Sequence, residues 1–410
     1  MQLAIYLGIG FWRHWFDYQT LRSRVAQGEL AVASDLSAQA DTPGVAAWPG
    51  WRAFRVSRKI IENSVGDICS FYLTPQDGQT LAPYLPGQYL TFRLETPGTK
   101  EHHAPTIRCY SLSQAPGPDA YRVSIKRTPV PADGGCTPGS ASNFFHDQVH
   151  VGSTLQVRAP AGHFHIDHGQ APVVLVGGGI GITPMLSMLT WSLAAQAGRE
   201  IWLFYGARHS GELVEQERLR SLATQYPNFH LHICLSKPNA GDALGQNHQH
   251  VGRIDVDLLR RLLPLKPYHF YICGPTPLLE SLVPALEDWG VPGPNIHFEA
   301  FGPASVKRKN SVSRVSDASN VQAIYGAVTV NFARSNKQLP WQSDCGNLLN
   351  WAQSHGIAVD SGCRAGGCGS CQTTITSGEV SYRQAPDFDP EPGTCLLCVC
   401  TPKTNVTLEL

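Results

Sequence analysis

Residues 173–184 read Val-Val-Leu-Val-Gly-Gly-Gly-Ile-Gly-Ile-Thr-Pro: four apolar β-formers that break into a glycine turn, followed by an apolar helical stretch. A strand that stays hydrophobic on both faces belongs inside a parallel sheet covered by helices. The glycines at its carboxyl end let backbone N–H groups come close to an anion, and the helix that follows adds the positive end of its dipole. A strand, a glycine turn and a helix in that order suit a pyrophosphate. The spacing here, Gly179-x-Gly181-x-Thr183-Pro184, differs from G-x-G-x-x-G.

Downstream the same texture repeats. Ile201–Tyr205, Leu231–Leu235, His269–Cys273 and Ile296–Glu299 are short apolar runs, and helical stretches at Met185–Ala197, Glu212–Gln225 and Pro277–Trp289 lie between them. Strands alternating with helices of this length predict a doubly wound parallel sheet over residues 169–302. Tyr205-Gly-Ala-Arg208, Ser236-Lys237 and Cys273-Gly274-Pro275 then fall at carboxyl ends of strands, where open α/β sheets bind ligands.

Upstream the period is two. Ile68–Leu73, Tyr89–Leu94, Tyr121–Lys126 and Thr154–Arg158 alternate apolar with polar residues and are separated by Gly/Pro turns, which predicts an antiparallel β-barrel over residues 51–168. Arg108-Cys-Tyr110-Ser111-Leu112 ends one strand: arginine can fork onto a phosphate, tyrosine can stack on a flat ring, and serine can hydrogen-bond its edge.

Near the other end, Ser361–Cys371 (SGCRAGGCGSC) places Cys363, Cys368 and Cys371 in a C-x4-C-x2-C array, with Cys395, Cys398 and Cys400 some thirty residues on. Zinc sites favour paired C-x2-C knuckles, whereas this spacing is that of plant-type 2Fe-2S ligation. A strand at 326–332 and a helix at 346–354 precede the array, which makes residues 323–410 a third, small domain.

Composition sets the outer limits. A 410-residue chain predicts two to three domains, and 32 basic against 32 acidic residues leave no basic face for nucleic acid. The twelve cysteines, half of them beyond residue 362, suit metal ligation in a reducing compartment better than a disulfide scaffold, so a cytoplasmic location is expected. The apolar run Leu3–Trp12 is shorter than the ~20 residues of a spanning helix. Residues 3–18 are read as an aromatic helix docked on the chain's own core, the alternatives being a peripheral membrane contact or a partner-docking surface. Residues 28–50 and the Ser-rich, basic 303–322 read as linkers.

Taken together, Pro86-Gly-Gln-Tyr89, Arg108-x-Tyr110-Ser111-Leu112, Ser124-Ile-Lys126, Gly139-Ser-Ala141-Ser142, the 179–184 turn, Cys273-Gly274-Pro275 and Glu299-Ala-Phe301 resemble the ferredoxin-NADP reductase superfamily, and within it the reductase half of flavohaemoglobins. Residues 323–410 resemble the β-grasp 2Fe-2S ferredoxins. The resemblance implies that Arg108, Tyr110, Ser111, Leu112, Ser124, Lys126, Gly139, Ala141 and Ser142 hold FAD. It implies that Gly179, Gly181, Thr183, Pro184, Cys273, Gly274 and Pro275 hold NAD(P)H, with Arg208, Ser236 and Lys237 near a 2′-phosphate, and that Glu299 and Phe301 close on the flavin. Ser111, Cys273 and Glu299 are the candidate catalytic residues. Cys398, in an L-x-C-x-x-x-P setting, is the implied fourth cluster ligand, with Cys395 and Cys400 as packing cysteines or its replacements.

These parts imply an NAD(P)H-dependent oxidoreductase that passes electrons through FAD and the cluster to a protein acceptor, as the reductase component of an oxygenase system. The alternatives are a stand-alone reductase of iron, quinone, nitrogen oxides or a hybrid-cluster protein, and a slow redox sensor. No haem domain precedes the barrel, so nitric oxide dioxygenation is not expected.

Overall fold

The computed structural model describes residues 47–48, 50–95, 106–128, 140–301, 328–342, 346–357, 359, 361, 366, 369, 371–382, 386 and 390–410. The expected aromatic helix at 3–18, the basic linker at 303–322, Gly139, Cys363 and Cys368 lie outside the described residues. Among those described, no helix is long and apolar enough to cross a membrane.

The first sheet has six strands: β1 (Arg52–Ile61), β2 (Ile68–Pro75), β3 (Tyr89–Leu94), β4 (Thr106–Ser111), β5 (Tyr121–Lys126) and β6 (Thr154–Val157). Their order is β4-β3-β6-β1-β2-β5, antiparallel throughout. The alternation in the sequence is met on the inner face, where Phe54, Val56, Phe71, Leu90, Phe92, Val123 and Phe145 form one core. Helix α1 (Ser140–Asp147) packs Ala141 and Phe145 into it.

The second sheet is parallel, with order β10-β9-β8-β7-β11-β12: β7 (Val173–Gly178), β8 (Ile201–Ala207), β9 (Phe229–Leu235), β10 (His250–Val251), β11 (His269–Gly274) and β12 (Ile296–Ala300). Helices α2 (Ile182–Ala195), α3 (Gln216–Gln225), α4 (Val256–Leu262) and α5 (Thr276–Asp288) connect the strands. Every residue of β7 is buried, as the apolar run predicts for a strand covered on both faces. Two separate hydrophobic clusters, one around α2 and one around α4 and α5, supply the two coverings.

One helix starts later than its sequence suggests. The expected stretch Glu212–Gln225 becomes a short 3-10 turn at Ser210–Glu212, and α3 begins only at Gln216, after Glu215 in a left-handed conformation (φ 52°). Glu212 is turned inward and buried, which takes it off the helix.

The C-terminal domain has a mixed sheet, β14-β13-β19-β15-β17, built from β13 (Thr329–Phe332), β14 (Lys337–Pro340), β15 (Gln372–Ser377), β17 (Thr394–Leu396) and β19 (Val406–Leu408). β16 (Val380–Tyr382) pairs with β18 (Cys400–Pro402). Helix α6 (Leu348–Ser354), capped by the Asn347 side chain on the Asn350 N–H at 2.8 Å, packs Trp351 into the core with Phe332 and the cysteines. This β-grasp arrangement, the antiparallel sheet and the parallel sheet are the three folds expected.

Candidate functional site

The ends of β4, β7, β11 and β12 converge. On β12, Glu299 pairs in register with Cys273 of β11, which in turn pairs with Gly177 of β7. Ser111, the last residue of β4, donates its hydroxyl to Glu299 Oε2 at 3.5 Å across the meeting of barrel and sheet. Ser111 and Cys273 are buried, and Glu299 is half-buried. Crowding by protein pushes the Glu299 carboxyl up to about 8, with the Ser111 hydroxyl pulling the other way. The same desolvation, with Glu299 near, pushes the Cys273 thiol well up. Phe301, just beyond, is exposed.

The glycine turn is packed from one side and open on the other. A Cβ at Gly181 would stand 2.3 Å from the Cys273 carbonyl oxygen, so only glycine lets α2 start against the end of β11. Gly179 has φ +55° and faces open space. That combination, a left-handed glycine at an open strand end followed by a helix of fourteen residues, fits a pyrophosphate. Thr183 donates to the Ile180 carbonyl at 3.0 Å and is buried with Pro184 inside the start of α2, so both shape the turn. Gly274 and Pro275 lead from β11 into α5.

On the barrel, Arg108 is exposed and bonds the Ile107 carbonyl at 2.7 Å. Tyr110 lies edge-on to Phe145 at 5.2 Å and Phe92 at 5.8 Å, and burial raises its hydroxyl's pKa. Leu112 is buried in the barrel core. The Ser124 hydroxyl sits between Ser70 Oγ at 2.6 Å and Ser113 Oγ at 2.8 Å, an internal chain. Ala141 is buried, and Ser142 Oγ accepts the Thr128 N–H at 3.1 Å. Lys126 lies 3.3 Å from Asp67 and 3.7 Å from Glu212.

At the ends of β8 and β9, Arg208 turns onto Glu212. Its Nε is 2.7 Å from Oε1, its Nη2 bonds the same oxygen, and its backbone N–H meets Oε2 at 3.0 Å. Burial works against ionising Glu212, but the bonds from Arg208 and the nearby Lys126 outweigh it and hold the carboxyl below the usual range. Ser236 and Lys237 follow β9, their N–H groups bonded to the Ala207 and Arg208 carbonyls at 3.0 and 2.8 Å, with the Lys237 side chain exposed.

Arg122 is a residue that the sequence reading missed. It is 2 % exposed in the middle of β5 and makes ion pairs with Glu62 of the barrel at 2.8 Å and with Glu215 at the head of α3; its Nε also reaches Ser70 Oγ at 3.2 Å. The structure buries Tyr121–Ile125 throughout, so the arginine among them must find carboxylates.

In the C-terminal domain, Cys371 and Cys398 are buried side by side, the Cys398 N–H donating to Cys371 Sγ at 3.4 Å. A backbone N–H aimed at a ligand sulfur is what an anionic cluster needs, so the donor set fits 2Fe-2S. Cys395 and Cys400 are fully buried in the core of this domain.

Comparison with known proteins finds matches to both the sheet domain and the C-terminal domain. A family model described as an oxidoreductase NAD-binding domain matches residues 175–283, and one described as a 2Fe-2S iron-sulfur cluster binding domain matches residues 333–403. A flavohemoprotein of Halalkalibacterium halodurans is 38% identical over 259 residues, 62% of this chain and 61% of that protein, so the chain spans less than two thirds of that relative's length. The flavohem-like FAD/NAD binding domain of nitric oxide dioxygenase from Vibrio cholerae superposes with TM-score 0.54 at 32% identity, covering 62% of this chain and 100% of that one. Phthalate dioxygenase reductase, a modular structure for electron transfer from pyridine nucleotides to 2Fe-2S, superposes with TM-score 0.51 at 27% identity over 88% of this chain and 98% of that one.

Proposed function

We infer the function from the family to which the chain belongs, the ferredoxin-NADP reductase-like oxidoreductases, here with a C-terminal 2Fe-2S domain. The chain is an NAD(P)H-dependent electron-transfer oxidoreductase whose acceptor is a protein, the oxygenase component of a multicomponent system. The observation that carries this reading is the meeting of Ser111, Cys273 and Glu299 where barrel and sheet join. The 88% alignment with phthalate dioxygenase reductase supports the acceptor class.

When bound, FAD converts the two electrons of a nicotinamide into the single electrons that a 2Fe-2S cluster accepts. The chain's own residues do the positioning. Gly179 and Gly181 would hold the dinucleotide pyrophosphate at the start of α2, and Arg108 and Tyr110 would hold the flavin against β4. Ser111 and Cys273, one from each domain, would line the place where the flavin and the nicotinamide meet. Glu299, protonated at neutral pH by its raised pKa, keeps that place free of a buried negative charge. Cys371 and Cys398, with Cys363 and Cys368 from the same loop motif, would hold the cluster.

Purified yellow-brown holoprotein tests the reading. NADH or NADPH is expected to bleach the cluster absorbance within seconds under anaerobic conditions and to support reduction of ferricyanide and of an added one-electron carrier protein. Bleaching no faster than in the absence of nucleotide would sink it.

A further inference from the structure

Of the two cations expected near a 2′-phosphate, Lys237 is exposed and Arg208 is already occupied. Glu212 takes the Nε and Nη2 edge of Arg208, the edge with which a guanidinium forks onto an anion, and also the Arg208 backbone N–H. The Glu212 side chain is 5 % exposed, whereas the Arg208 side chain is 64 % exposed. The pair is therefore anchored at its acidic end: the arginine can be drawn away only by leaving a buried carboxylate with Lys126, at 3.7 Å, as its remaining cation. Asp242 adds a second acid to this loop cluster, accepting the Ser210 and Asn239 N–H groups at 3.2 and 2.8 Å.

The place matters. Arg208 follows β8, directly beside the strand that carries the glycine turn, and Lys237 follows β9. In open α/β sheets this strand end is where the ribose of the adenosine half lies, with an acid there favouring the 2′-hydroxyl and a free arginine favouring the 2′-phosphate. Here the acid and the arginine are both present and are bonded to each other.

We propose that Glu212 is a specificity residue: by holding the guanidinium fork of Arg208 it withdraws that cation from a 2′-phosphate and sets the site for NADH over NADPH. The proposal rests on the reading of the sheet domain as the nicotinamide site. Its origin is the inward turn of Glu212 at Ser210–Glu212, which the helical pattern of the sequence did not foretell.

Isothermal calorimetry on the holoprotein with NAD+ and with NADP+ tests it by binding, apart from turnover. The wild-type ratio Kd(NADP+)/Kd(NAD+) is expected to be about tenfold or more, and Glu212→Gln, which frees Arg208 while keeping the side-chain shape, is expected to lower that ratio about tenfold. Arg208→Gln is expected to leave the ratio within about threefold of wild type, because its fork is not available in the parent protein. The double variant should return the ratio of Glu212→Gln toward wild type. A wild-type ratio near or below one, or a large rise in the ratio in Arg208→Gln alone, overturns the proposal, and the latter result can be read even where Glu212→Gln fails to fold. An unchanged ratio in a folded Glu212→Gln also overturns it. Failure of both nucleotides to bind would overturn the underlying nicotinamide reading instead, and with it this one.

Discussion

Ser111 and Glu299 come from different sheets, 188 positions apart in sequence, yet the serine hydroxyl stands 3.5 Å from the glutamate Oε2. Because Glu299 titrates at about 8, it crosses its charge state inside the working pH range. The rate of flavin reduction by NADH is expected to fall as pH rises through about 8, since an ionised Glu299 sets a negative charge where electrons are delivered. Stopped-flow traces from pH 6 to 9.5 check this, and Glu299→Gln should flatten the profile. The same shift makes the folded chain hold a proton that the unfolded chain, with its carboxyl near 4.5, gives up. Glu299 therefore costs increasing stability between about pH 4.5 and 8, and Glu299→Gln should show a shallower decline in Tm across that range.

Arg122 offers a stability test. Its guanidinium is buried between Glu62 and Glu215, and removing it strands two carboxylates. Arg122→Met is expected to cost about 3–5 kcal/mol and a visible drop in Tm. Arg122→Lys should recover only part, because one ammonium cannot meet two carboxylates, Ser70 Oγ and the Ser113 carbonyl at once. Equal Tm values for wild type and the methionine variant would contradict the assignment.

The cysteines give a spectroscopic test. Cys398→Ser is expected to lose or shift the cluster's visible absorption and EPR signal, whereas Cys395→Ser and Cys400→Ser should keep both at near wild-type iron content, since those thiols are packed in the core. Retention of a normal signal in Cys398→Ser, with its loss in either of the others, would move the ligand.

Much of the fold could be read where the period is undisturbed. β3 and β5 lie where the alternation of Tyr89–Leu94 and Tyr121–Lys126 placed them, and the all-apolar Val173–Val176 became the fully buried β7. β1 was harder: Arg52–Ile61 carries a register shift between Val56 and Arg58 that breaks its alternation. The site residues were legible as motifs, but their partners were not. Glu212, Glu215 and Glu62 look like ordinary surface acids, and only the fold brings them onto Lys126, Arg208 and Arg122. A local pattern carries strand and turn chemistry, whereas an ion pair across 93 positions is a property of the tertiary structure.

The Arg122 linkage also bears on recombination between relatives. A chimera that joins this barrel to a foreign nucleotide sheet near residue 168 would seem a clean splice between modules. Unless the incoming half brings an acid where Glu215 stands, the graft buries a guanidinium against a mismatched surface. The unit of exchange that keeps this ion pair is therefore the barrel and sheet together, from β1 through β12.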